Sequence, residues 1–455
     1  MHNNSYDIPV AKAFIYNGSS FLYDTYSNNI IKVSQEQYYE ICQLLELGIE
    51  NYKKRNLSTP SYLSIIQLIN KGILQPPFVE KIYNPITPYV KCLLNSHVHD
   101  LSLQVTRECN FKCRYCLYAS HSGVERTHEL KYMSWDTAKK SIDFLYDHSS
   151  SADSIHISFY GGEPFLNFKL IKDVVNYVEN RFFSKKIEYG VTINGSILSD
   201  EIIDFIIEHN FQLTISLDGP KETQDIHRKF RSDGKGTFDT VFRNIMKLKR
   251  KSQLYFDNSV SFIPVYFEDE SYDKVLNFFA DIGVAYEKAL PQKATLNGVD
   301  YINSHISLAY ATNTDDNELD KKFFREIYAD KNPLPTIWHH SGPCQPAITR
   351  LFVDVNGIFY PCEKILENPS LSIGSLITGL DQDKIASFMN IGSLTAEDCR
   401  KCWAFRFCNL CVAHCVDTDK NKLTGEIKKN SCVFVKDRAL KQMKQYIIDN
   451  GKGEQ

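Results

Sequence analysis

Residues 101–116 read Leu101-Ser-Leu-Gln-Val-Thr106, then Arg107-Glu108, then Cys109-Asn-Phe-Lys-Cys113-Arg-Tyr-Cys116. The first six residues alternate apolar and polar over a strand's length, and the cysteines follow at once. In parallel α/β folds, active groups gather at the C-terminal ends of strands, which is where these thiols fall. Three thiolates in eight residues can wrap one cluster, because soft sulfur suits iron–sulfur centres and a loop is free to fold around them. Three ligands for four irons leave one iron open to a substrate-like molecule. A structural zinc ion would want a fourth protein ligand, with His121 and His128 as the near candidates.

Strand and helix patterns alternate from here onward. Leu101–Thr106, Ile155–Tyr160, Ile187–Ile193, Gln212–Leu217, Ser259–Pro264 and Val284–Lys288 read as strands, with helical stretches such as Ser134–Asp147 between them. Six βα units in series predict an α/β class with a parallel sheet, either open or curled into a partial (β/α)6 TIM-like barrel, over residues 96–335. The stretch 290–340 is less regular. Beyond it, Arg350–Val355 and Ile358–Pro361 flank Asn356-Gly357, a hairpin signal. The remainder of 336–455 is cysteine-rich, loop-dominated and capped by a helix at Lys436–Ile448.

Upstream, residues 1–95 read as a separate small unit. Lys12–Tyr16, Ser20–Asp24 and Asn29–Val33 are short strands, joined at the turn signals Asn17-Gly18 and Ser27-Asn28-Asn29. Ser34 with Gln37 is a capping box opening a helix through Leu47, which Gly48 ends. A second helix runs Ser61–Ile69 and stops near Gly72. Three strands followed by helices is a winged-helix-like arrangement, and Pro76, Pro77, Pro85 and Pro88 mark its exit linker.

Composition bounds the class. The chain of 455 residues predicts two or three domains, and 43% apolar with 24% charged residues is ordinary for globular protein. A net charge of −3 gives no nucleic-acid footprint. The first residues hold no apolar h-region, and no run reaches the ~18–20 apolar residues of a membrane span, which predicts a cytoplasmic protein without membrane partners. Thirteen cysteines in such a chain point to metal ligands rather than disulfides. Cys42 and Cys92 stand alone and read as small core residues; three fall at 109–116 and the other eight between 344 and 432.

The CxxxCxxC spacing, with an aromatic before its last cysteine, resembles the radical S-adenosylmethionine superfamily. Further landmarks follow in order at strand ends. Phe159-Tyr160-Gly161-Gly162-Glu163-Pro164 looks like that superfamily's GGEP motif, in which backbone groups and Glu163 would meet the methionine amino group. Asn194, Ser216 and Asp218, within Asn194-Gly195 and Ser216-Leu-Asp218-Gly219, would lie near the ribose or carboxylate; as Asn-Gly and Asp-Gly pairs they also read as plain turns. Asp225-Ile-His-Arg228 resembles the family's HDxxR string with Gln224 where histidine is usual, and Arg228 would pair with the methionine carboxylate. Tyr115 would pack against adenine. The resemblance implies an enzyme whose reduced [4Fe–4S] cluster, on Cys109, Cys113 and Cys116, cleaves S-adenosylmethionine to a 5′-deoxyadenosyl radical that removes hydrogen from substrate.

Cys344 and Cys362 bracket the hairpin as Cx12Gx4C, followed by Cys399-x2-Cys402-x5-Cys408-x2-Cys411-x3-Cys415 and Cys432. A zinc ribbon would want a spacer of ~15–20 residues between CxxC pairs. The order resembles a SPASM domain, which implies auxiliary iron–sulfur clusters. By that resemblance Cys399, Cys402, Cys408 and Cys432 hold an outer cluster, and Cys344, Cys362 and either Cys411 or Cys415 an inner one. Val412 stands where the usual Cx2Cx5Cx3C string has its last cysteine, and Arg350 where relatives with two fully ligated clusters carry another. Either all eight cysteines ligate two clusters or one iron is left open, as in some thioether-forming relatives.

The N-terminal unit resembles the leader-binding domain of maturases of ribosomally made peptides, where the leader adds a strand to a sheet edge. A structural cap on the barrel is the plainer reading. The leading expectation is a peptide maturase that installs a cross-link, most simply a thioether, in a cysteine-containing precursor, with an external electron donor such as flavodoxin or ferredoxin. Anaerobic sulfatase maturation to formylglycine, epimerisation and carbon–carbon cross-linking are the other enzyme readings. A DNA-binding iron–sulfur regulator is disfavoured, because Gln35–Glu46 carries Glu36, Glu40 and Glu46 and no Lys or Arg.

Overall fold

The chain opens on an antiparallel meander of β1 (Ala11–Tyr16), β2 (Ser19–Asp24) and β3 (Asn29–Val33), with β2 central. The structure, a computed structural model, describes residues 7–116, 128–266, 272–285, 288–289, 292–293, 334–340, 345–363, 365, 367–417, 419–420 and 422–451. Asn17 and Gly18 both take positive φ (46° and 72°), the geometry of a two-residue turn whose twist suits a hairpin. α1 (Gln35–Leu47) starts at the expected capping box: Ser34 Oγ accepts the Gln37 N–H while Gln37 Oε1 accepts the Ser34 N–H. Gly48, at φ 78°, ends it. With α2 (Ile49–Lys54) and α3 (Pro60–Asn70) it buries Ile41, Leu44, Tyr52 and Ile65 against Leu22 of the sheet, a small core of its own.

The central layer is one sheet. β4 (Asp100–Thr106), β5 (Ser154–Gly161), β6 (Lys186–Ile193), β7 (Gln212–Ile215) and β8 (Val260–Phe262) pair in parallel in that spatial order, as predicted. The helices between them are amphipathic and capped. The helix Trp135–His148 begins where Ser134 Oγ accepts the Thr137 N–H, and buries Ala138, Ile142 and Leu145.

Among the described residues of the sixth predicted strand, Val284, Ala285 and Lys288 form no strand. After the helix Tyr272–Asp281, Gly283 N–H bonds the Ala280 carbonyl and Val284 N–H the Phe279 carbonyl. This is a Schellman cap, with Gly283 at φ 71°, so Val284 spends its donor on closing a helix instead of on a ladder. Residues 286–287, inside the same predicted strand, and nearly all of 290–340 lie outside the described residues. A short parallel pair, Val265–Tyr266 with Gln292–Lys293, stands nearby.

The other side of β4 is taken by the C-terminal region. β9 (Leu351–Val353) pairs in parallel with β4, Leu351 opposite Leu101, and then β10 (Ile358–Tyr360), β11 (Gly374–Ser375) and β12 (Gly379–Leu380) extend the sheet antiparallel. The Asn356-Gly357 hairpin is where it was expected, but it belongs to the same nine-stranded sheet as the core. The final helix, Gly425–Gly451, starts well before the predicted Lys436. Cys92 is exposed rather than core: its helix, Val90–Ser96, buries Val90 and Leu94 on another face. Cys42 is half-buried. Among the described residues no helix is long and apolar enough to cross a membrane.

Candidate active site and cysteine clusters

The loop after β4 carries Cys109, Cys113 and Cys116, and two devices fix it. Phe111–Cys113 pairs antiparallel with Arg228–Phe230, setting Arg228 opposite Cys113. The second device is the glycine pair after β5. Gly162 N–H bonds the Thr106 carbonyl at 3.0 Å and Glu163 N–H the Glu108 carbonyl at 2.8 Å. A Cβ on Gly161 would stand 2.1 Å from Thr106 O, and one on Gly162 2.1 Å from Glu108 O. The glycines therefore serve close approach to the cysteine loop, and these two N–H groups are spent there.

Glu163 is fully buried. Its Oε2 accepts the Asn194 N–H at 2.6 Å and its Oε1 the Phe165 N–H at 3.2 Å. Burial lifts its carboxyl to about 7, against the pull of those two N–H groups. Asn194 closes the link to the thiols: its Nδ2 donates to Asn110 Oδ1 at 2.8 Å and points at Cys109 Sγ at 3.8 Å. Asn110 has no counterpart among the sequence-predicted residues, although it sits one residue past Cys109; its Nδ2 also donates to Ser196 Oγ.

On the other side of the triad, Asp218 is a hub. Its Oδ2 accepts Tyr115 Oη–H at 2.5 Å and Arg228 Nε–H at 3.0 Å, and its Oδ1 the Val265 N–H. Arg228 is thus paired internally with Asp218, stacks its guanidinium 5.1 Å over the Tyr115 ring, and also donates to Cys113. Gln224, in the place of the usual histidine, holds the Asp218 N–H through Oε1 and Thr237 through Nε2. Ser216 is half-buried, its N–H bonded to the Ile193 carbonyl. Glu163, Asn194, Asp218, Tyr115 and Arg228 are brought around the three thiols: Glu163, Asn194 and Asp218 from just beyond β5, β6 and β7, Tyr115 from the cysteine loop, and Arg228 from the short strand after the helix Lys221–His227.

The donor set decides whether these residues fit an iron–sulfur cluster. Among the described residues no three His, Cys, Asp or Glu side chains converge within reach of a single ion. The three thiols of the loop do lie within electrostatic reach of one another. Two of them face polar donors that suit anionic sulfur: Phe111 N–H reaches Cys109 Sγ at 3.4 Å and Arg228 reaches Cys113, while His128, with Nδ1–H on the Arg107 carbonyl, sets Nε2 3.7 Å from Cys116. Burial pushes the Cys113 thiol up to about 12 and Cys109 higher, so cluster loading must displace protons. His121 lies outside the described residues.

The second set is gathered by the Ala396–Arg400 helix, the loop to Cys415 and the final helix. Cys399, Cys402, Cys408 and Cys432 are electrostatic neighbours, with Ala404 N–H on Cys402 and Leu410 N–H on Cys408. Burial raises Cys402 to about 11 and Cys408 to about 12. Cys415, also raised to about 12, sits with Cys399 and Cys432, whereas Cys411 Sγ lies 3.2 Å from His414 Nδ1. Cys362 is half-buried at the end of β10, and Cys344 lies outside the described residues. Sequence reasoning missed Lys428, whose ammonium donates to Cys399; the four-residue spacing to Cys432 on one helix face was the available signal. It also missed Arg107, which joins the cysteine loop to Glu367 at 2.7 Å and Asp354 at 3.4 Å.

Residues 103–282 match the family described as the Radical SAM superfamily. The chain spans about half the length of several curated relatives. It covers 46% of an uncharacterised protein of Methanocaldococcus jannaschii, 36% identical over 31% of this chain. It covers 57% of the radical SAM cyclopropyl synthase TigE of Paramaledivibacter caminithermalis, 23% identical over 58% of this chain. The cysteine-type anaerobic sulfatase-maturating enzyme of Clostridium perfringens is 25% identical over 69% of this chain and 88% of its own length. In fold, the chain resembles the solved structure of anSMEcpe with bound AdoMet: TM-score 0.54, 19% identity, 77% of this chain and 95% of that one. Residues 103–282 are a radical SAM domain, of the superfamily whose members use a [4Fe–4S] cluster and S-adenosylmethionine.

Proposed function

We propose that this enzyme is a maturase of a ribosomally synthesised peptide, installing a cross-link, most simply a thioether, in a cysteine-containing precursor. When bound, the loop cluster and S-adenosylmethionine supply a 5′-deoxyadenosyl radical. The chain's own residues would do the rest. Cys109, Cys113 and Cys116 hold the cluster and leave one iron open. Glu163 takes the methionine ammonium, Asn194 and Ser216 orient the ribose or carboxylate, and Tyr115 backs the adenine. Arg228, fixed by Asp218, acts on the cluster side through Cys113. Cys399, Cys402, Cys408 and Cys432 hold an outer auxiliary cluster; Cys344, Cys362 and Cys411 or Cys415 an inner one.

The observation that carries the peptide reading is the N-terminal unit and where it docks. Its sheet ends on two outer strands, β1 and β3, of the kind an extended peptide can join. It sits directly on the loop of the outer cysteines: Arg406 donates to the Thr25 and Tyr26 carbonyls, Thr25 Oγ1 donates to the Trp403 carbonyl, and Tyr23 packs edge-on to Phe407. A leader held on that sheet would be tethered beside the auxiliary domain.

Sulfatase maturation is the second reading, favoured by the 88% coverage of the Clostridium perfringens enzyme. The two part on product. Anaerobically reconstituted, reduced enzyme is incubated with S-adenosylmethionine and either a cysteine-containing precursor peptide or a sulfatase cysteine peptide. A precursor that loses two hydrogens and keeps its sulfur, read by mass spectrometry, supports the cross-link. Conversion of the sulfatase peptide with loss of sulfur, and none of the precursor, would replace it with formylglycine formation.

A further inference from the structure

The second cysteine set surrounds a residue that the reaction described so far does not use. Lys428 lies in the first turns of the final helix with no solvent exposure. Its Nζ donates to Thr395 Oγ1 at 2.7 Å and to Cys399 Sγ at 3.2 Å, and Cys408 and Cys432 are its next neighbours in charge. Three buried imidazoles close the region. His339, on which burial holds the ring neutral, accepts the Gly392 N–H and packs on His340, and His340 in turn faces Lys428 and His414.

A buried ammonium needs an anion, since an uncompensated charge taken from water costs more than hydrogen bonds return. Four thiolates bound to iron supply one, because around an oxidised cubane they leave a net charge of minus two, and one added electron makes minus three. We propose that Lys428 is a resident cationic hydrogen-bond donor to the outer cluster of Cys399, Cys402, Cys408 and Cys432, and that it raises that cluster's reduction potential. The inference rests on reading those four cysteines as iron ligands.

The direction follows from charge. Hydrogen bonds to the sulfurs and the local net charge are what the protein uses to set a cluster's potential. A cation at hydrogen-bond distance in a dry site favours the more negative, reduced state. The placement is rigid: Cys432 lies one helical turn beyond Lys428 on the same helix, and Thr395 anchors the ammonium from the other side. Lys428 is thus a positioning and tuning group that touches a ligand sulfur, not a catalytic residue.

The test uses the full chain with Cys113→Ala, which removes the signal of the loop cluster, reconstituted with iron and sulfide. Redox titration followed by electron paramagnetic resonance compares this parent with Lys428→Met and Lys428→Arg. The expected result is full auxiliary iron in all three and one auxiliary midpoint moved negative in Lys428→Met by at least 59 mV, a tenfold change in a one-electron equilibrium. Lys428→Arg stays nearer the parent. Full iron with unmoved midpoints overturns the proposal. Should Lys428→Met fail to load, the parent labelled with 15N-lysine decides: a nitrogen coupling on a reduced auxiliary cluster supports the contact, and none overturns it. A parent with no auxiliary iron overturns the cluster reading itself, a failure that iron analysis distinguishes from the others.

Discussion

At Glu163 burial and the proposed contact with the methionine ammonium pull in opposite directions. Its carboxyl is raised to about 7 because burial outweighs the two N–H groups on it. A ligand ammonium needs the ionised form. Below that pH the native protein carries the proton, and binding the ammonium must expel it. Affinity for S-adenosylmethionine should therefore tighten as pH climbs through about 7 and level off above. In Glu163→Gln the profile should be flat and binding weaker at about pH 8, by tenfold or more for loss of a buried charge pair; equilibrium binding to reconstituted enzyme at several pH values checks both. The placement of this residue was legible because Gly-Gly-Glu-Pro follows a strand end. Its hydrogen-bond partners were not, because Asn194 reaches it through a backbone N–H that no side-chain motif records. The same holds for Arg228, whose identity was readable while its pairing with Asp218 needed the fold.

Elements divide by how local their causes are. The start of α1 was readable from four residues, since Ser34 and Gln37 satisfy each other's N–H groups whatever lies around them. Ser34→Ala should loosen that end by about 1 kcal/mol. Faster amide hydrogen exchange confined to α1 and the adjoining sheet would show it, with S-adenosylmethionine cleavage unchanged. Parallel strands are less transparent. β4 is buried on both faces although its residues alternate apolar and polar, so the pattern marks a strand without naming its neighbours. The pairing of Leu351 with Leu101 was invisible for that reason, as was the Schellman cap that turned Val284 away from the sheet.

For the molecule as a whole, the parts are joined by buried polar contacts. Arg107, next to the cysteine loop, holds Glu367 and Asp354, whose side chains are 1% and 3% exposed. Burial already raises Asp354 in the presence of that cation. Arg107→Met would strand two carboxyls, costing about 3–5 kcal/mol near neutral pH. Without the cation the folded pKa of Asp354 lies further above its unfolded value, so the native state of the variant binds extra protons and its stability falls as pH rises. The gap to wild type in thermal unfolding should be wide at about pH 8 and narrow at about pH 5. Gln104 joins the same network through Glu367 and the Val355 N–H, which ties β4 to the hairpin that leads to Cys362.

The single sheet has a consequence for how the protein is made. β4 leaves the ribosome early, but its partner on one side, β9, is encoded far downstream, Leu351 against Leu101. At about 5–20 residues per second, that edge waits roughly 10–50 s for its neighbour. Throughout the wait, the strand that carries the first cysteine loop presents an unpaired apolar edge to the cell, beside thiols that have no iron. Nascent chains would need a chaperone or an early supply of iron and sulfide during synthesis, and slow, cool expression with both in excess is the condition under which intact protein should accumulate.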